Sequence, residues 1–281
     1  MKYVVAVSGG VDSVVLLDKL ANEGAHELVV AHFDHAIRDD SAADARFVSA
    51  LAKKYGLAFE TRREELGKNA SEELARRRRY AFLREVAKKY EGTIVTAHHA
   101  DDIIETVAIN LIRGTGWRGL AVFDSAAIWR PLLEMTKAQI YEYALSHRLE
   151  WVEDSTNQTA EYLRNRVRRQ IARSLASEEK QAVLKLRNEQ VERKRDIDKE
   201  LGTYVNEKNE YDRYLLTFMP EDVACELLRA AVVAKTKVSP TRPQLLRALL
   251  AIKTAQTGTA YELGGGVNLR FSVRTFVVYT P

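Results

Sequence analysis

The sequence predicts an α/β protein: a five-stranded, parallel, doubly wound sheet in residues 1–178, followed by a smaller, mainly helical domain in residues 179–281. Three observations carry this. Short valine-rich runs alternate with amphipathic segments through the first hundred residues, the rhythm of βαβ units joined by right-handed crossovers. The strand-like runs are continuously apolar, as strands covered by helices on both faces must be. Near residue 175 the rhythm stops, and residues 177–211 are strongly charged, with helical spacing and few strand signals.

The elements follow in order. Lys2 to Val7 is the first strand. A glycine pair leads into a helix from Asp12 to Glu23, with Val14, Val15, Leu16, Leu17 and Leu20 at helical spacing and Gly24 as its stop. Glu27 to Phe33 is a second buried strand. Ser41 caps a helix to about Tyr55, and Ala58 to Thr61 is a short strand. Ser71 opens a long helix to about Tyr90. Gly92 to Ala97 is the fourth strand, Asp101 to Arg113 the fourth helix, and Trp129 to Leu133 the fifth strand. Thr136 caps a helix to about His147. Further on, helices are expected over Glu221–Lys235 and Thr241–Lys253, and strands over Thr259–Thr280 around Gly264-Gly265-Gly266.

Apolar residues at 46% and charged residues at 29% of 281 make an ordinary globular balance, which excludes disorder, collagen and coiled-coil arrays. No window reaches the roughly 18 apolar residues of a spanning helix. The apolar N-terminal run is too short for a leader, and Asp12 breaks it. The one cysteine, Cys225, excludes an intrachain disulfide, a cysteine zinc site and a C-x-x-C pair, so the expected compartment is a reducing cytoplasm. Lys plus Arg is 43 and Asp plus Glu is 39, a net charge of only +4. The basic residues cluster at Arg76–Arg79 and at Arg164, Arg166, Arg168, Arg169 and Arg173. Such clusters can neutralise nucleic-acid phosphates, or can be solvated helix faces.

Ser8-Gly9-Gly10-Val11-Asp12-Ser13 joins the first strand to the first helix. The glycines let backbone approach an anion, the helix N-terminus offers unpaired N–H groups, and both serines can add hydrogen bonds. A carboxylate beside a phosphate needs a cation between them, so Asp12 points to Mg²⁺ held against a polyphosphate. Gly114-Thr115-Gly116-Trp117-Arg118-Gly119 matches G-x-G-x-x-G, but a helix precedes it and no βαβ unit follows. A dinucleotide site is therefore rejected, and a loop closing over ATP or substrate is expected instead. His98-His99-Ala100-Asp101-Asp102-Ile103-Ile104-Glu105-Thr106 enters a helix from the carboxyl end of the fourth strand, where such sheets bind ligands. Asp101 and Glu105 share one helix face, and Asp102 and Thr106 another.

Ser-Gly-Gly-x-Asp-Ser after the first strand resembles the pyrophosphate loop of the N-type ATP pyrophosphatases, which split ATP into AMP and pyrophosphate on an adenine nucleotide α-hydrolase-like fold. The ordered set adds Phe33-Asp34-His35-Ala36-Ile37-Arg38, Arg113-Gly114-Thr115-Gly116, Arg130-Pro131-Leu132-Leu133, Trp151 to Asn157 and Arg164-Asn165-x-Val167-Arg168. Over residues 3 to 175 it is similar to the tRNA(Ile)-lysidine synthetases. The resemblance implies transfer of free lysine to the wobble cytidine of a CAU-anticodon isoleucine tRNA through an adenylated cytidine. It implies ATP held by Ser8, Gly9, Gly10, Val11, Asp12, Ser13, His35, Arg38 and Gly114, with Mg²⁺ on Asp12. Catalysis falls to Asp12, His98, Asp102, Glu105 and Arg168, with Asp102 and Glu105 also holding the lysine. Arg113, Arg164, Asn165 and Arg168 contact the tRNA, and a homodimer is expected. Ile103 stands where many members carry Gln. A tRNA thiolase is disfavoured by the single cysteine, a glutamine-dependent amidating enzyme by the missing glutaminase domain, and a non-catalytic RNA-binding module by the intact acidic residues.

Overall fold

The computed structural model describes residues 1–24, 26–36, 41–67, 71–153, 167, 174–206 and 208–281. They form two compact units, one of residues 1–115 and 119–188 and one of residues 116–118 and 189–281.

The first unit is built on β1 (Lys2–Ala6), β2 (Glu27–Asp34), β3 (Ala58–Arg63), β4 (Thr93–Val95) and β5 (Ile128–Trp129), in the spatial order β3-β2-β1-β4-β5. All four pairings are parallel, with Val5 beside Val30 on one side and Val95 on the other. The order turns back on itself at β1 and β4, so the sheet has its switch point between them, where a crevice opens at the carboxyl ends. Both sequence motifs leave the sheet there: Ser8–Ser13 follows β1, and His98–Glu105 follows β4.

Alternate strand residues face opposite ways. Val5, Val7, Leu28 and Val30 pack with α1 (Val11–Glu23), α2 (Ser41–Lys54) and α5 (Lys137–Ser146), whereas Val4, Val29, Ala31 and Phe33 pack with α3 (Glu72–Tyr90). Val4, Val5, Leu16 and Leu17 are fully buried, each contributing roughly 1.5–3 kcal/mol. Ser71 caps α3 by accepting from Leu74 N at 3.2 Å, and Thr136 caps α5 by accepting from Gln139 N at 3.3 Å. Ser41 is the first residue of α2 instead of its cap. β5 stops four residues before the expected end because Pro131 has no N–H for the ladder and the chain turns, with Leu133 N bonding Arg130 O.

α4 (Ala100–Ile112) packs Ile103 and Val107 on Val122, and Val183 and Leu184 from the start of α6 (Ser177–Gly202) join this cluster. That packing keeps the first turns of α6 in the first unit. The division falls between Asn188 and Glu189, ten residues beyond the expected boundary. Gly116–Arg118 groups with the second unit because Arg118 bonds Asp198 at 2.7 Å and Glu226 at 2.6 Å. The second unit sets α7 (Arg213–Phe218), α8 (Glu221–Thr236) and α9 (Arg242–Thr254) against an antiparallel sheet. Its strands β6 (Glu210–Asp212), β7 (Ala260–Gly264), β8 (Val267–Phe271) and β9 (Thr275–Tyr279) are ordered β6-β9-β8-β7. Gly265 and Gly266 both take positive φ, at 65° and 76°, as the two central residues of a tight hairpin require. Cys225 is buried in this unit's core, which pushes its thiol up. No helix among the described residues is long and apolar enough to cross a membrane.

Candidate active site

The loop after β1 is wound around one hydroxyl. Ser13 Oγ accepts from Ser8 N and Gly9 N, each at 3.2 Å, and donates to Gly10 O at 2.8 Å. Ser8 Oγ lies 3.3 Å from the same atom and accepts from Gly10 N at 3.4 Å. Gly9 has φ +96°, a left-handed conformation that side chains rarely adopt, and its carbonyl accepts from Val152 N at 2.9 Å. Gly10 is the N-cap of α1 and caps it with no side chain; Ser13 N bonds Gly10 O at 3.0 Å, which leaves the N–H groups of Val11 and Asp12 at the start of the helix without a side-chain cap. This is a cradle for an anion at a helix N-terminus.

Across the crevice, the turn into α4 supplies charge of the other sign. His99 is buried, with Nε2 3.8 Å from Asp12 Oδ2 and 3.7 Å from Asp102 Oδ2, and its Nδ1 3.8 Å from Asp101 Oδ2. Asp102 also accepts from His99 N at 3.1 Å and so caps its own helix. Lys137, the first residue of α5, donates from Nζ to Asp12 Oδ1 at 2.5 Å and from its backbone N to Asp101 Oδ2 at 2.7 Å. Lys180 Nζ approaches Asp101 Oδ1 at 3.4 Å. Glu105 lies one turn further along α4 and is 2% exposed, a depth at which a carboxylate is always paired. Among the described residues no group of three His, Cys, Asp or Glu side chains could hold a metal alone. A single carboxylate at the phosphate cradle nonetheless fits Mg²⁺, which takes one or two carboxylates and completes its shell with phosphates and water.

His98 turns the other way from His99. Its ring lies 4.7 Å from that of Phe123, and Nδ1 is 2.8 Å from Thr96 Oγ1. Burial, reinforced by the guanidinium groups of Arg130, Arg76 and Arg79 against an opposing pull from Asp102, lowers His98 to about 3. Burial and Arg79 lower His35, which packs on Phe33 at 4.8 Å, to about 4. Both are therefore neutral at pH 7, and His98 serves as a hydrogen-bonding group instead of a proton acceptor. A folded-state pKa below the unfolded value of about 6.5 makes the unfolded chain bind protons first. These histidines' contribution to stability is thus complete above about pH 6.5 and is lost as pH falls toward 3. The expected outcome is a neutral His98 imidazole at pH 5 by ¹⁵N NMR; a ring that titrates near pH 6.5 would contradict its burial.

A sequence profile of the PP-loop domain matches residues 1–175. The chain belongs to the PP-loop family. This is a family of ATP-using enzymes, and the match spans the loop, the His98–Glu105 turn and Lys137. Among its relatives are tRNA(Ile)-lysidine synthases of Enterococcus faecalis and Exiguobacterium sibiricum, each 41% identical. The first aligns over 191 residues, or 63% of this chain and 41% of that protein. The second aligns over 179 residues, or 61% and 43%. The chain thus spans about two fifths of the length of the curated relatives it matches. Among solved structures, the U34-tRNA thiolase NcsA of Methanococcus maripaludis shares the fold, with TM-score 0.57 and 16% identity over 68% of this chain and 72% of that one.

The PP-loop fold brings Ser8, Gly9, Gly10, Val11, Asp12, Ser13, His98, Asp102 and His35 to one edge of the sheet. It does not bring Gly114 there. Arg113 and Gly114 follow the last residue of α4, about 17 Å along the helix from Asp102 at 1.5 Å per residue; Gly114 was expected at ATP and Arg113 at the tRNA. The glycine serves as the helix stop, with φ +69°. In the loop expected to close over ATP or substrate, Arg118 pairs with Asp198 and Glu226. Arg38, Arg164, Asn165 and Arg168 lie outside the described residues. Lys137 and Lys180 went unpredicted: nothing local distinguishes a helix-start lysine that reaches a carboxylate 125 residues away.

Proposed function

We propose that the protein is a lysidine-forming ligase: it joins free lysine to the wobble cytidine of a CAU-anticodon isoleucine tRNA at the expense of ATP. The observation that carries this reading is the 41% identity to lysidine synthases across the unit that holds both halves of the crevice. In the first step the cytidine carbonyl oxygen attacks the α-phosphorus of ATP, and pyrophosphate leaves into the Ser8–Ser13 cradle. In the second, the lysine ε-amine attacks ring carbon two, loses a proton and expels AMP.

The residues present suit both steps. Ser8 Oγ, Ser13 Oγ and the N–H groups of the loop receive the departing pyrophosphate, whose charge develops as the bond breaks. Asp12 is the residue to hold Mg²⁺, which would neutralise that charge. Lys137 adds a fixed cation at the same atoms. Asp102 and Glu105 are the carboxylates for the two amines of the incoming lysine, and the ε-amine gives up its proton on that side of the crevice. His98 hydrogen-bonds as a neutral ring. Arg38, Arg113, Arg164, Asn165 and Arg168 remain proposed nucleotide and tRNA contacts, and a homodimer in the cytoplasm remains the expected setting. Thiolation lacks a candidate nucleophile, since the one cysteine is buried in the second unit.

The test mixes the protein with ATP, Mg²⁺, radiolabelled lysine and the CAU isoleucine tRNA transcript, and follows labelled RNA and AMP together. Lysine incorporation that vanishes when the wobble cytidine is replaced is the expected result. AMP release without incorporation would mean a different nucleophile, and tRNA binding without AMP would leave an RNA-binding module.

A further inference from the structure

Two adjacent histidines enter α4, and the fold sends them different ways. His98 packs on Phe123, with Nδ1 2.8 Å from Thr96 Oγ1. His99 is 5% exposed and stands among the crevice carboxylates. Its Nε2 lies 3.8 Å from Asp12 Oδ2 and 3.7 Å from Asp102 Oδ2. Asp12 comes from the loop after β1 and Asp102 from the first turn of α4, so one ring nitrogen sits between the two halves of the crevice. Each carboxylate is held by a second contact. Asp12 Oδ1 accepts from Lys137 Nζ at 2.5 Å, and Asp102 Oδ2 accepts from His99 N at 3.1 Å. On the other side of the ring, Nδ1 is 3.8 Å from Asp101 Oδ2, an atom that already accepts from Lys137 N at 2.7 Å.

An N–H to oxygen hydrogen bond closes at about 2.7–3.2 Å. Asp12 and Asp102 both stand a small shift short of that distance from Nε2. One ring nitrogen carries at most one N–H, so the two carboxylates compete for it. Carboxylates this close also repel each other, and a donor between them relieves whichever one it bonds. Burial keeps the ring from turning out into water. A confined donor that serves one of two acceptors is a two-state element, and whatever occupies one acceptor biases it toward the other.

We propose that His99 is a positioning residue that links the nucleotide half of the site to the lysine half. When Asp12 ligates the magnesium of a bound nucleotide, it no longer accepts from His99. The Nε2–H then passes to Asp102 Oδ2 and holds that carboxylate in one orientation for the ammonium of the incoming lysine. Nucleotide binding therefore tightens lysine binding, and by linkage lysine tightens the nucleotide by the same factor. The identity of the two ligands rests on the proposed function; the shared nitrogen rests on the geometry of His99, Asp12 and Asp102.

Calorimetry on the full chain tests this by measuring lysine affinity with and without Mg²⁺ and α,β-methylene ATP, an analogue that cannot release pyrophosphate. Wild type is expected to bind lysine at least about fivefold more tightly with the nucleotide present. His99→Phe, which fills the space without an N–H, is expected to bring that ratio below about twofold. His99→Gln, whose amide N–H reaches about as far as Nε2, is expected to restore part of it. A merely structural role would lower both affinities and leave their ratio unchanged. A second measurement needs no variant: in wild type labelled with ¹⁵N-histidine, the His99 Nε2 resonance is expected to move when Mg-nucleotide is added without lysine. Equal lysine affinity with and without nucleotide, an unmoved resonance, or a His99→Phe ratio equal to that of wild type overturns the linkage and leaves the ligase reading standing. Absence of lysine binding under both conditions overturns the ligase reading and the linkage with it.

Discussion

Asp12→Asn is expected to stop AMP release while leaving tRNA affinity within about twofold. The substitution keeps the volume of the side chain and the N-terminal turn of α1, so folding is preserved. It removes the charge that holds Lys137 Nζ at 2.5 Å and that faces His99 at 3.8 Å. It also removes the carboxylate proposed to hold Mg²⁺ at the phosphate cradle. Losing one preorganised electrostatic contact costs about 10²–10³ in rate, and here two are disturbed at once, so a fall of about 10³ or more is expected. Single-turnover AMP release measures it. Lys137→Met should cost less, and the double variant should cost little more than Asp12→Asn alone, because the two charges share one contact. AMP release within tenfold of wild type would remove Asp12 from the reaction.

Local signals in the chain were enough to specify the parallel sheet and the cradle. Valine runs such as Lys2–Ala6 and Glu27–Asp34 follow from burial on both faces. Ser8–Ser13 is recognisable because a backbone that must approach an anion can hardly be built without glycine at φ +96°. Contacts between distant segments left no such trace. Lys137 pairs with Asp12 only because α5 lies beside α1, which depends on the whole sheet. The arginine run divides into two exposed and two half-buried members because helical phase on the sheet sorts them, and that phase is set by Tyr80 and Leu83 in the core. Gly114 is ambiguous for a related reason: a glycine in an ordered motif says that the backbone needs freedom, but not whether a ligand or a helix stop demands it.

Asp18→Leu is expected to destabilise the first unit by about 3 kcal/mol or more and to weaken nucleotide binding at a distance. Asp18 is buried at 5% exposure and accepts from Tyr55 OH at 2.5 Å, Tyr143 OH at 2.8 Å and Asn22 Nδ2 at 3.1 Å, tying α1 to α5 and to the end of α2. Hydrogen bonds to a charged group contribute about 1.5–3 kcal/mol each, and leucine leaves the phenols without their acceptor. The spacing gives the effect on binding. Asp18 lies six residues after Asp12 on α1, and Tyr143 lies six residues after Lys137 on α5, so Asp12–Lys137 and Asp18–Tyr143 are two rungs between the same helices. Removing the lower rung frees α5 to shift, and Lys137 then loses its place at the cradle. Tyr143→Phe, which removes one donor and keeps the ring stacked on His147 at 3.8 Å, should cost about a third as much. Urea denaturation followed by Mg-ATP calorimetry on the folded fraction separates the two effects. A destabilised variant that binds Mg-ATP as tightly as wild type would show that the upper rung stands without the lower. The same phenols set an alkaline limit: burial and Asp18 raise Tyr143 to about 12 and raise Tyr55 as well. The unfolded tyrosines lose their protons first, so stability is full below about pH 10 and falls as pH rises through the folded values, a slope that Asp18→Leu should flatten.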